Sequence, residues 1–197
     1  MATNRLAALI GSRICHDLIS PIGAINNGIE LLGMSNAAPP GPEMSLISES
    51  VENASARIKF FRVAFGAAGE QQMGRAEVMA ILRDLYAGGR LRVAWGPVDP
   101  SPRAQVRMCF LALLCLESAM PFGGRIEVSQ DNGRWHLQGV ADKLNVDEAL
   151  WALLSCAEVP ETLQPAQVQF ALLPALARDT DRKVVARNGE NEITIVF

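Results

Sequence analysis

Two long helical patterns, separated by a loop that no helix can cross, constrain the fold of this chain most strongly. In the first pattern, the apolar residues fall within an arc of about 100° around a helix, the width of a core-facing stripe. In the second, they recur at alternating spacings of three and four, as in a heptad seam. The two sets are Ile14, Leu18, Pro21, Ile22, Ile25, Ile29 and Leu32, and Met44, Ile47, Val51, Ala54, Ile58, Phe61 and Phe65. Because residues 33–42 are rich in glycine and proline, the patterns predict an antiparallel helical hairpin over residues 1–68.

A hairpin of two helices cannot enclose a core by itself, because each apolar stripe covers only one side of the other helix. A second copy of the hairpin would complete a four-helix bundle, the arrangement that short loops and heptad-like stripes favour. We therefore expect a homodimer. The alternative is that the hairpin packs against the C-terminal part of its own chain.

Residues 69–197 show a different pattern, in which helices and strands alternate. The helix predicted over 103–120 is apolar on nearly every side, which is typical of a helix at the centre of a core. Asp131-Asn132-Gly133 and Asn188-Gly189 are turn signals between strands. Residues 69–74 are predicted as a polar linker and 97–102 as a turn-rich connection. The other predicted helices are 75–87, 146–157 and 165–178, and the predicted strands are 91–95, 126–128, 135–139, 183–187 and 192–197.

These elements predict an α/β sandwich over 69–197, with helices on one face of a mixed or antiparallel sheet, and place the whole chain in the α+β class.

The composition excludes several kinds of partner. The chain has 197 residues, of which 49% are hydrophobic, and a formal net charge of −3. That charge gives no basic field for nucleic acid, and no apolar run approaches the ~18 residues that cross a bilayer. We expect a cytoplasmic protein that binds neither nucleic acid nor membranes. Its four cysteines form no C-x-x-C pair and are expected to be reduced, buried thiols: Cys15, Cys109, Cys115 and Cys156.

The histidine of the first helix has an unusual setting. On the helical wheel His16 lies about 200° from Ile14, among small or polar residues, so it points away from the core of its own helix. Asp17 follows at once, and a carboxylate there can hold one ring nitrogen while the other stays free to act as a nucleophile. Pro21 removes the N–H that would bind the Asp17 carbonyl, so a bend or loosened turn is expected there.

A solvated surface histidine is the plain alternative for His16. The second histidine, His136, falls on the polar side of a predicted strand and is expected to be an ordinary solvated residue of the sheet face. Hydrolase chemistry has little support, since there is no G-x-S-x-G motif. Metal binding has equally little, since no second histidine or cysteine stands at ligand spacing from His16.

The residues around His16 resemble two related families. His-Asp-Leu-Ile-Ser-Pro, over 16–21, is similar to the H-E-L-R-T-P phosphoacceptor box of sensor histidine kinases. The longer run over 15–32, CHDLISPIGAINNGIELL, closely resembles the ChpT-type histidine phosphotransferases of alphaproteobacteria. Ile19 departs from the kinase pattern, where a basic residue is usual, and fits the phosphotransferase pattern.

The C-terminal half resembles a histidine-kinase ATP-binding domain that has lost its ATP motifs. Where kinases carry an N-x-x-x-N-A box, this chain has Leu-Ala-Leu-Leu-Cys-Leu at 111–116. Where a D-x-G-x-G box should follow, it has Ala-Asp-Lys-Leu-Asn at 141–145, and where G-x-G-L-G-L should open the last helix, it has residues 164–170, without a glycine. Those glycines let backbone amides close around phosphates, so the resemblance implies a pseudo-ATPase domain with no bound cofactor.

The resemblance implies a histidine phosphotransferase in a two-component phosphorelay. It would take a phosphoryl group from the receiver domain of a hybrid histidine kinase and pass it to the receivers of response regulators, which would supply the Mg²⁺. The alternatives are an ATP-dependent histidine kinase and a non-catalytic dimeric adaptor that binds receivers. Arg13 is expected either to stabilise phosphoryl oxygens or to remain solvated. The predicted site comprises His16 as phosphoacceptor, Asp17 as the group that orients its ring, and Ser12, Arg13, Ser20, Gly23 and Asn27 as the receiver-docking face.

Overall fold

The N-terminal hairpin is present as predicted. A computed structural model of the protein describes residues 2–34, 42–67, 69–155, 160 and 162–197. Helix α1 covers Ala2–Met34 and helix α2 covers Pro42–Ala64. Helix α1 includes Pro21 and runs two residues past the predicted end at Leu32, through Gly33. Most of the predicted loop, residues 35–41, lies outside the described residues.

The two helices of the hairpin approach each other closely at a glycine. Gly28 is buried in α1, and a Cβ built there would lie 2.5 Å from Cγ1 of Ile47 on α2. Only hydrogen fits at that distance. Gly11, on the same helix, is exposed and has no atom within 4 Å of a built Cβ. Gly28 therefore sets the spacing of the hairpin, whereas Gly11 has no packing role.

The C-terminal part is built on a five-stranded mixed sheet with the strand order β2-β4-β5-β7-β6. Strands β2 and β4 pair in parallel, and the other neighbours are antiparallel. The strands are β1 Gln72–Met73, β2 Leu91–Trp95, β3 Ser101–Pro102, β4 Gly124–Asp131, β5 Arg134–Val140, β6 Val185–Asn188 and β7 Glu192–Val196. The helices are α3 Arg75–Tyr86, α4 Arg103–Ala119, α5 Glu148–Ala152 and α6 Gln169–Asp179, with 3₁₀ turns at Leu153–Ser155 and Pro165–Gln167.

Three expectations about this part were wrong in detail. The predicted linker 69–74 and connection 97–102 contribute β1 and β3, which pair antiparallel as a small second sheet. The helix predicted from residue 146 begins at Glu148, because the Asp147 side chain accepts a hydrogen bond from the Leu150 N–H at 3.0 Å and caps the helix there. It passes into a 3₁₀ turn after Ala152, and residues 156 and 157 lie outside the described residues.

Helix α4 lies at the centre of the core, as predicted. The six residues of 111–116 are all buried, and α4 packs against β4, β5 and α6. The other large, fully buried side chains include Phe110, Trp135 and Phe170. Helices therefore cover one face of the sheet, and the predicted α+β sandwich is confirmed.

The base of the hairpin packs against this sandwich. Phe60 of α2 stacks on Phe110 of α4 with ring centroids 4.6 Å apart, and the Arg107 guanidinium donates to the Ala64 carbonyl at 3.2 Å. The ammonium of Lys59 lies 3.0 Å from the Asp84 carboxylate on α3. The alternative expectation, that the hairpin packs against the C-terminal part of its own chain, thus holds for the C-terminal end of α2.

Part of each predicted apolar stripe remains exposed. The open seam consists of stripe residues whose side chains are exposed in the single chain: Ile22, Ile29, Met44, Val51 and Ile58. Within the single chain, the C-terminal part therefore covers the apolar surface of the hairpin only at its base. The homodimer stays a prediction. Among the described residues, no helix combines the length and the apolar character needed to cross a membrane.

The contrast between the two helix glycines gives a prediction about stability. Gly28→Ala forces a methyl group against Ile47; overpacking costs about 1–3 kcal/mol, and alanine's better helix propensity returns at most about 1 kcal/mol. G28A is therefore expected to lower the free energy of unfolding. Gly11→Ala improves helix propensity without a new contact, so it is expected to raise the free energy of unfolding by about 0.5–1 kcal/mol. Urea unfolding at one protein concentration measures both, and equal stabilisation by the two changes would show that the helices are not in close contact at Gly28.

Candidate functional site

His16 lies on the open face of α1. Its side chain is 79% exposed, and Ser12, Ser20 and Asn27 are also exposed. A Cβ built on Gly23 would have nothing within 4 Å, so none of the described residues fills the space above it. The predicted orientation of His16 away from the core is therefore confirmed.

A cleft of about 450 Å³ between the two helices of the hairpin opens beside this histidine. His16, Asp17 and Ser20 line it from α1, and Ser50 and Asn53 line it from α2. Gly23 and Asn27 lie further along the same helix and are not part of the cleft lining. The structure thus brings Ser20 together with the histidine. Of the other predicted docking residues, Ser12 and Asn27 are exposed and Gly23 is half-exposed, whereas Arg13 is turned away.

The carboxylate of Asp17 lies within hydrogen-bonding distance of the imidazole. Nδ1 of His16 lies 3.0 Å from Oδ1 of Asp17, and the aspartate side chain is only 10% exposed. An ionised carboxylate can only accept hydrogen bonds, so the ring donates from Nδ1, and this bond assigns the tautomer. Nε2 then carries the free lone pair, and the exposed ring presents it to solvent.

Two arginines lie near the second oxygen of that carboxylate, and Arg13 is hydrogen-bonded to it. Nε of Arg13 donates to Oδ2 of Asp17 at 2.8 Å, and Nη1 of Arg57 lies 3.8 Å from the same oxygen. Arg57 also donates from Nε to the Asn53 side chain at 3.0 Å. Asp17 is therefore held from both helices of the hairpin, which is an extensive set of contacts for one carboxylate.

Arg13 is not the solvated side chain of the second expectation. Its side chain is 16% exposed, so the solvated alternative is wrong. Besides binding Asp17, it donates from Nη1 to the carbonyl oxygen of Ala166 at 2.6 Å. That carbonyl belongs to the 3₁₀ turn Pro165–Gln167 of the C-terminal part. Arg13 thus bridges the two parts of the chain, and its predicted role in receiver docking stays untested.

Sequence reasoning missed the contribution of α2 to this site. Asn53 and Arg57 are four residues apart, so they share one face of a helix, but no motif marks them. They lie about forty positions from Asp17 in the sequence. Only the packing of the two helices brings them to it.

A second cleft, of about 570 Å³, separates the hairpin from the C-terminal part. Arg13, Asp17 and Arg57 line one side, and Tyr86 and Glu117 line the other. The Tyr86 hydroxyl donates to the Glu117 carboxylate at 3.4 Å. Glu117 keeps contact with solvent, yet desolvation by the cleft walls raises the pKa of its carboxyl above the usual value, against the opposing charges of Arg57 and Arg13.

Two of the three positions of the missing ATP motifs contain packing residues, whereas the third, 141–145, is exposed except at Ala141 and Leu144. The segment 111–116 fills the core with six buried side chains, and Leu163, Val168 and Phe170 around the last 3₁₀ turn are also buried. The described part of the chain contains no group of three or more His, Cys, Asp or Glu side chains that could hold a metal ion. That the chain binds neither nucleotide nor metal stays a prediction.

Comparisons with known proteins agree with this fold. A family model for the histidine phosphotransferase C-terminal domain matches residues 75–192. The chain is 35% identical over 186 residues to the protein phosphotransferase ChpT of Brucella abortus (strain 2308), covering 91% of this chain and 88% of that protein.

Solved structures show the same relationship. A bacterial phosphotransferase superposes with a TM-score of 0.83 at 31% identity, over 100% of this chain and 97% of that one. The histidine kinase ThkA, solved in complex with the response regulator protein TrrA, has a TM-score of 0.50 at 16% identity, over 99% of this chain and 62% of that one. This last likeness concerns the fold alone. The resemblance seen in the residues around His16 is therefore confirmed, and the chain belongs to the ChpT-type histidine phosphotransferase family.

Proposed function

We propose that this chain carries a phosphoryl group between the aspartates of receiver domains, as a phosphohistidine at His16. The observation that carries the proposal is the hydrogen bond between Nδ1 of His16 and Asp17, in an imidazole whose side chain is 79% exposed. The bond holds the proton on Nδ1, and the exposure lets a partner's phosphoryl group reach Nε2. Both conditions are needed for a histidine that accepts and then releases a phosphoryl group.

The transfer can be written so that its atoms and charges balance. The lone pair on Nε2 attacks the phosphorus of a receiver's aspartyl phosphate, and an N–P bond forms as the bond from phosphorus to the receiver carboxylate oxygen breaks. That carboxylate keeps the electron pair. The ring retains its Nδ1 proton and becomes positively charged, and attack on the phosphorus by the next receiver's carboxylate reverses the step.

Asp17 and its arginines suit this change of charge. The carboxylate lies 3.0 Å from the nitrogen whose ring becomes cationic, so its hydrogen bond strengthens after transfer. Arg13 and Arg57 balance its negative charge beforehand, which reduces its repulsion of the incoming phosphoryl group. Positioning and electrostatics of this kind supply most of the catalysis in phosphoryl transfer.

The open face around His16 is the proposed docking surface. Ser12, Ser20, Gly23 and Asn27 have small side chains, or none, and would let a receiver approach closely. The donor would be the receiver of a hybrid histidine kinase and the acceptors the receivers of response regulators. We propose that the Mg²⁺ for the reaction comes with the receiver and that this chain supplies no cofactor.

The open seam supports a homodimer. Ile22, Ile29, Met44, Val51 and Ile58 are exposed in the single chain, and they belong to stripes whose spacing is that of a helical bundle. Burial of such side chains stabilises an interface by about 25 cal/mol for each Å² of apolar surface removed from water. A second hairpin would cover them and complete the proposed four-helix bundle.

The phosphotransfer proposal predicts labelling by a phosphorylated receiver. A receiver domain carrying radioactive phosphate on its aspartate should transfer the label to this chain, giving an acid-labile phosphohistidine. His16→Ala should abolish labelling, because the nucleophile is gone. His136→Ala is the matched control, since it removes the other of the chain's two histidines, and it should label like the wild type.

Two results would support the rival functions instead. Labelling by ATP alone, without a receiver, would identify an ATP-dependent kinase. Receiver binding with no transfer of label to the wild-type chain would identify a non-catalytic adaptor.

The dimer proposal predicts that one charge in the open seam separates the subunits. Val51→Lys would place two ammonium groups, one from each copy, in a buried interface, where unpaired charges are strongly unfavourable. Sedimentation at micromolar concentration should show a wild-type dimer and a V51K monomer. Val98→Lys, at a residue that is 72% exposed in the C-terminal part, should leave the dimer intact. A wild-type monomer at that concentration would contradict the proposal.

A further inference from the structure

We infer that Arg13 is a positioning residue through which the C-terminal domain sets the orientation and tautomer of His16. The inference rests on the proposed function, because it concerns the same histidine. It assigns a role to the domain that has lost its ATP motifs. It also explains why a side chain beside the phosphoacceptor is turned away from the open face.

An unbroken series of polar contacts joins the phosphoacceptor to the C-terminal domain. Nδ1 of His16 lies 3.0 Å from Oδ1 of Asp17, and Oδ2 of Asp17 lies 2.8 Å from Nε of Arg13. Nη1 of Arg13 lies 2.6 Å from the Ala166 carbonyl oxygen. The same oxygen accepts a hydrogen bond from Nε2 of Gln169 at 2.9 Å. Consecutive groups are in direct contact, so displacement of any one group is passed to the next.

The chemistry of the guanidinium suits this position. Arginine presents several N–H donors in a rigid plane, and here Nε binds the carboxylate while Nη1 binds the carbonyl. Because both partners are bound by one rigid group, the position of the carbonyl fixes the position of Oδ2. The carboxylate of Asp17 is a rigid, planar group, so the position of Oδ2 restricts the position of Oδ1. Oδ1 in turn restricts the orientation of the imidazole to which it is hydrogen-bonded.

The acceptor in the C-terminal domain is itself held firmly. Ala166 lies in a 3₁₀ turn that the Gln164 N–H closes by donating to the Gln167 side chain at 3.1 Å. Gln169 is 1% exposed and binds the turn from within the domain. This turn stands where a kinase would carry its last glycine motif, so the segment that would close around phosphates contacts the phosphoacceptor helix instead.

Arg57 does not provide the same link. Its Nη1 lies 3.8 Å from Oδ2 of Asp17, beyond hydrogen-bonding distance, and its Nε binds Asn53 on its own helix. It balances the charge of the carboxylate without fixing its plane. Glu117, which faces both arginines across the second cleft, makes a hydrogen bond to Tyr86. Of the described groups, Arg13 is the one whose hydrogen bonds connect Asp17 to the C-terminal domain.

The first test reads the tautomer of His16 directly by long-range ¹H–¹⁵N NMR of the full chain. With only two histidines in the sequence, His136 serves as an internal reference. The wild type should show His16 as the Nδ1–H tautomer, and Arg13→Gln should shift it toward a mixture while His136 is unchanged. Unchanged His16 nitrogen shifts in R13Q would overturn the inference.

Two further variants separate positioning from general loosening of the structure. Lys59→Gln removes the ion pair with Asp84, another link between the hairpin and the C-terminal domain, and should leave the His16 spectrum as in the wild type. Gln169→Met keeps the buried volume but removes the donor to Ala166, and should change the His16 shifts in the same direction as R13Q, by less. A K59Q shift as large as that of R13Q, or no shift in Q169M, would count against the role of the C-terminal domain.

The second test measures transfer from a phosphorylated receiver. At metal sites, loss of an outer group that orients a ligating imidazole lowers affinity or activity by about 10- to 100-fold, and we expect a loss of the same order in R13Q. In an Asp17→Ala background, R13Q should cause no further loss, because the carboxylate through which Arg13 acts is absent. A further loss would mean that Arg13 acts directly on the phosphoryl group or the receiver. Absence of transfer in the wild type would overturn the proposed function alone, since the NMR result does not depend on transfer.

Discussion

The geometry of this site depends on one carboxylate, that of Asp17. Asp17 is 10% exposed and binds His16 through one oxygen and Arg13 through the other, with Arg57 nearby. A buried carboxylate without such partners would be strongly unfavourable. The contacts that satisfy its charge therefore include the hydrogen bond to the imidazole. In the proposed relay, this bond lets the residue that follows His16 keep the proton on Nδ1 and leave Nε2 free to react.

Much of the architecture followed from patterns that act over short distances. Apolar spacing located α1, α2 and α4, because a helix must turn a continuous stripe toward its core. Turn residues placed the β4–β5 hairpin through Asn132, at φ 48°, and Gly133, at φ 77°. The exposure of His16 followed from the same helical wheel. All these features depend on residues a few positions apart, where sequence and geometry are directly related.

The features that could not be predicted depend on residues far apart in the chain. Arg13 and the Ala166 carbonyl are 153 positions apart, and a backbone acceptor leaves no trace in the identity of its residue. Arg57 reaches Asp17 only through the packing of α2 on α1. The small sheet of β1 and β3 has two residues in each strand, too few for an alternating pattern. The regular spacing of the apolar residues of α2 likewise gives no sign that Phe61 is buried within its own chain whereas Val51 stays exposed.

The contacts between the hairpin and the C-terminal domain fit the prediction that this domain does not phosphorylate the histidine from ATP. A domain that delivers phosphate from a nucleotide has to approach the phosphoacceptor and then withdraw, which a firm interface would oppose. Here Phe60 stacks on Phe110, Arg107 binds the end of α2, and Arg13 binds Ala166. In the proposed relay the phosphate arrives with a separate receiver, so the domain can stay in place. Its remaining contribution is then to hold the hairpin and, through Arg13, the carboxylate that orients His16.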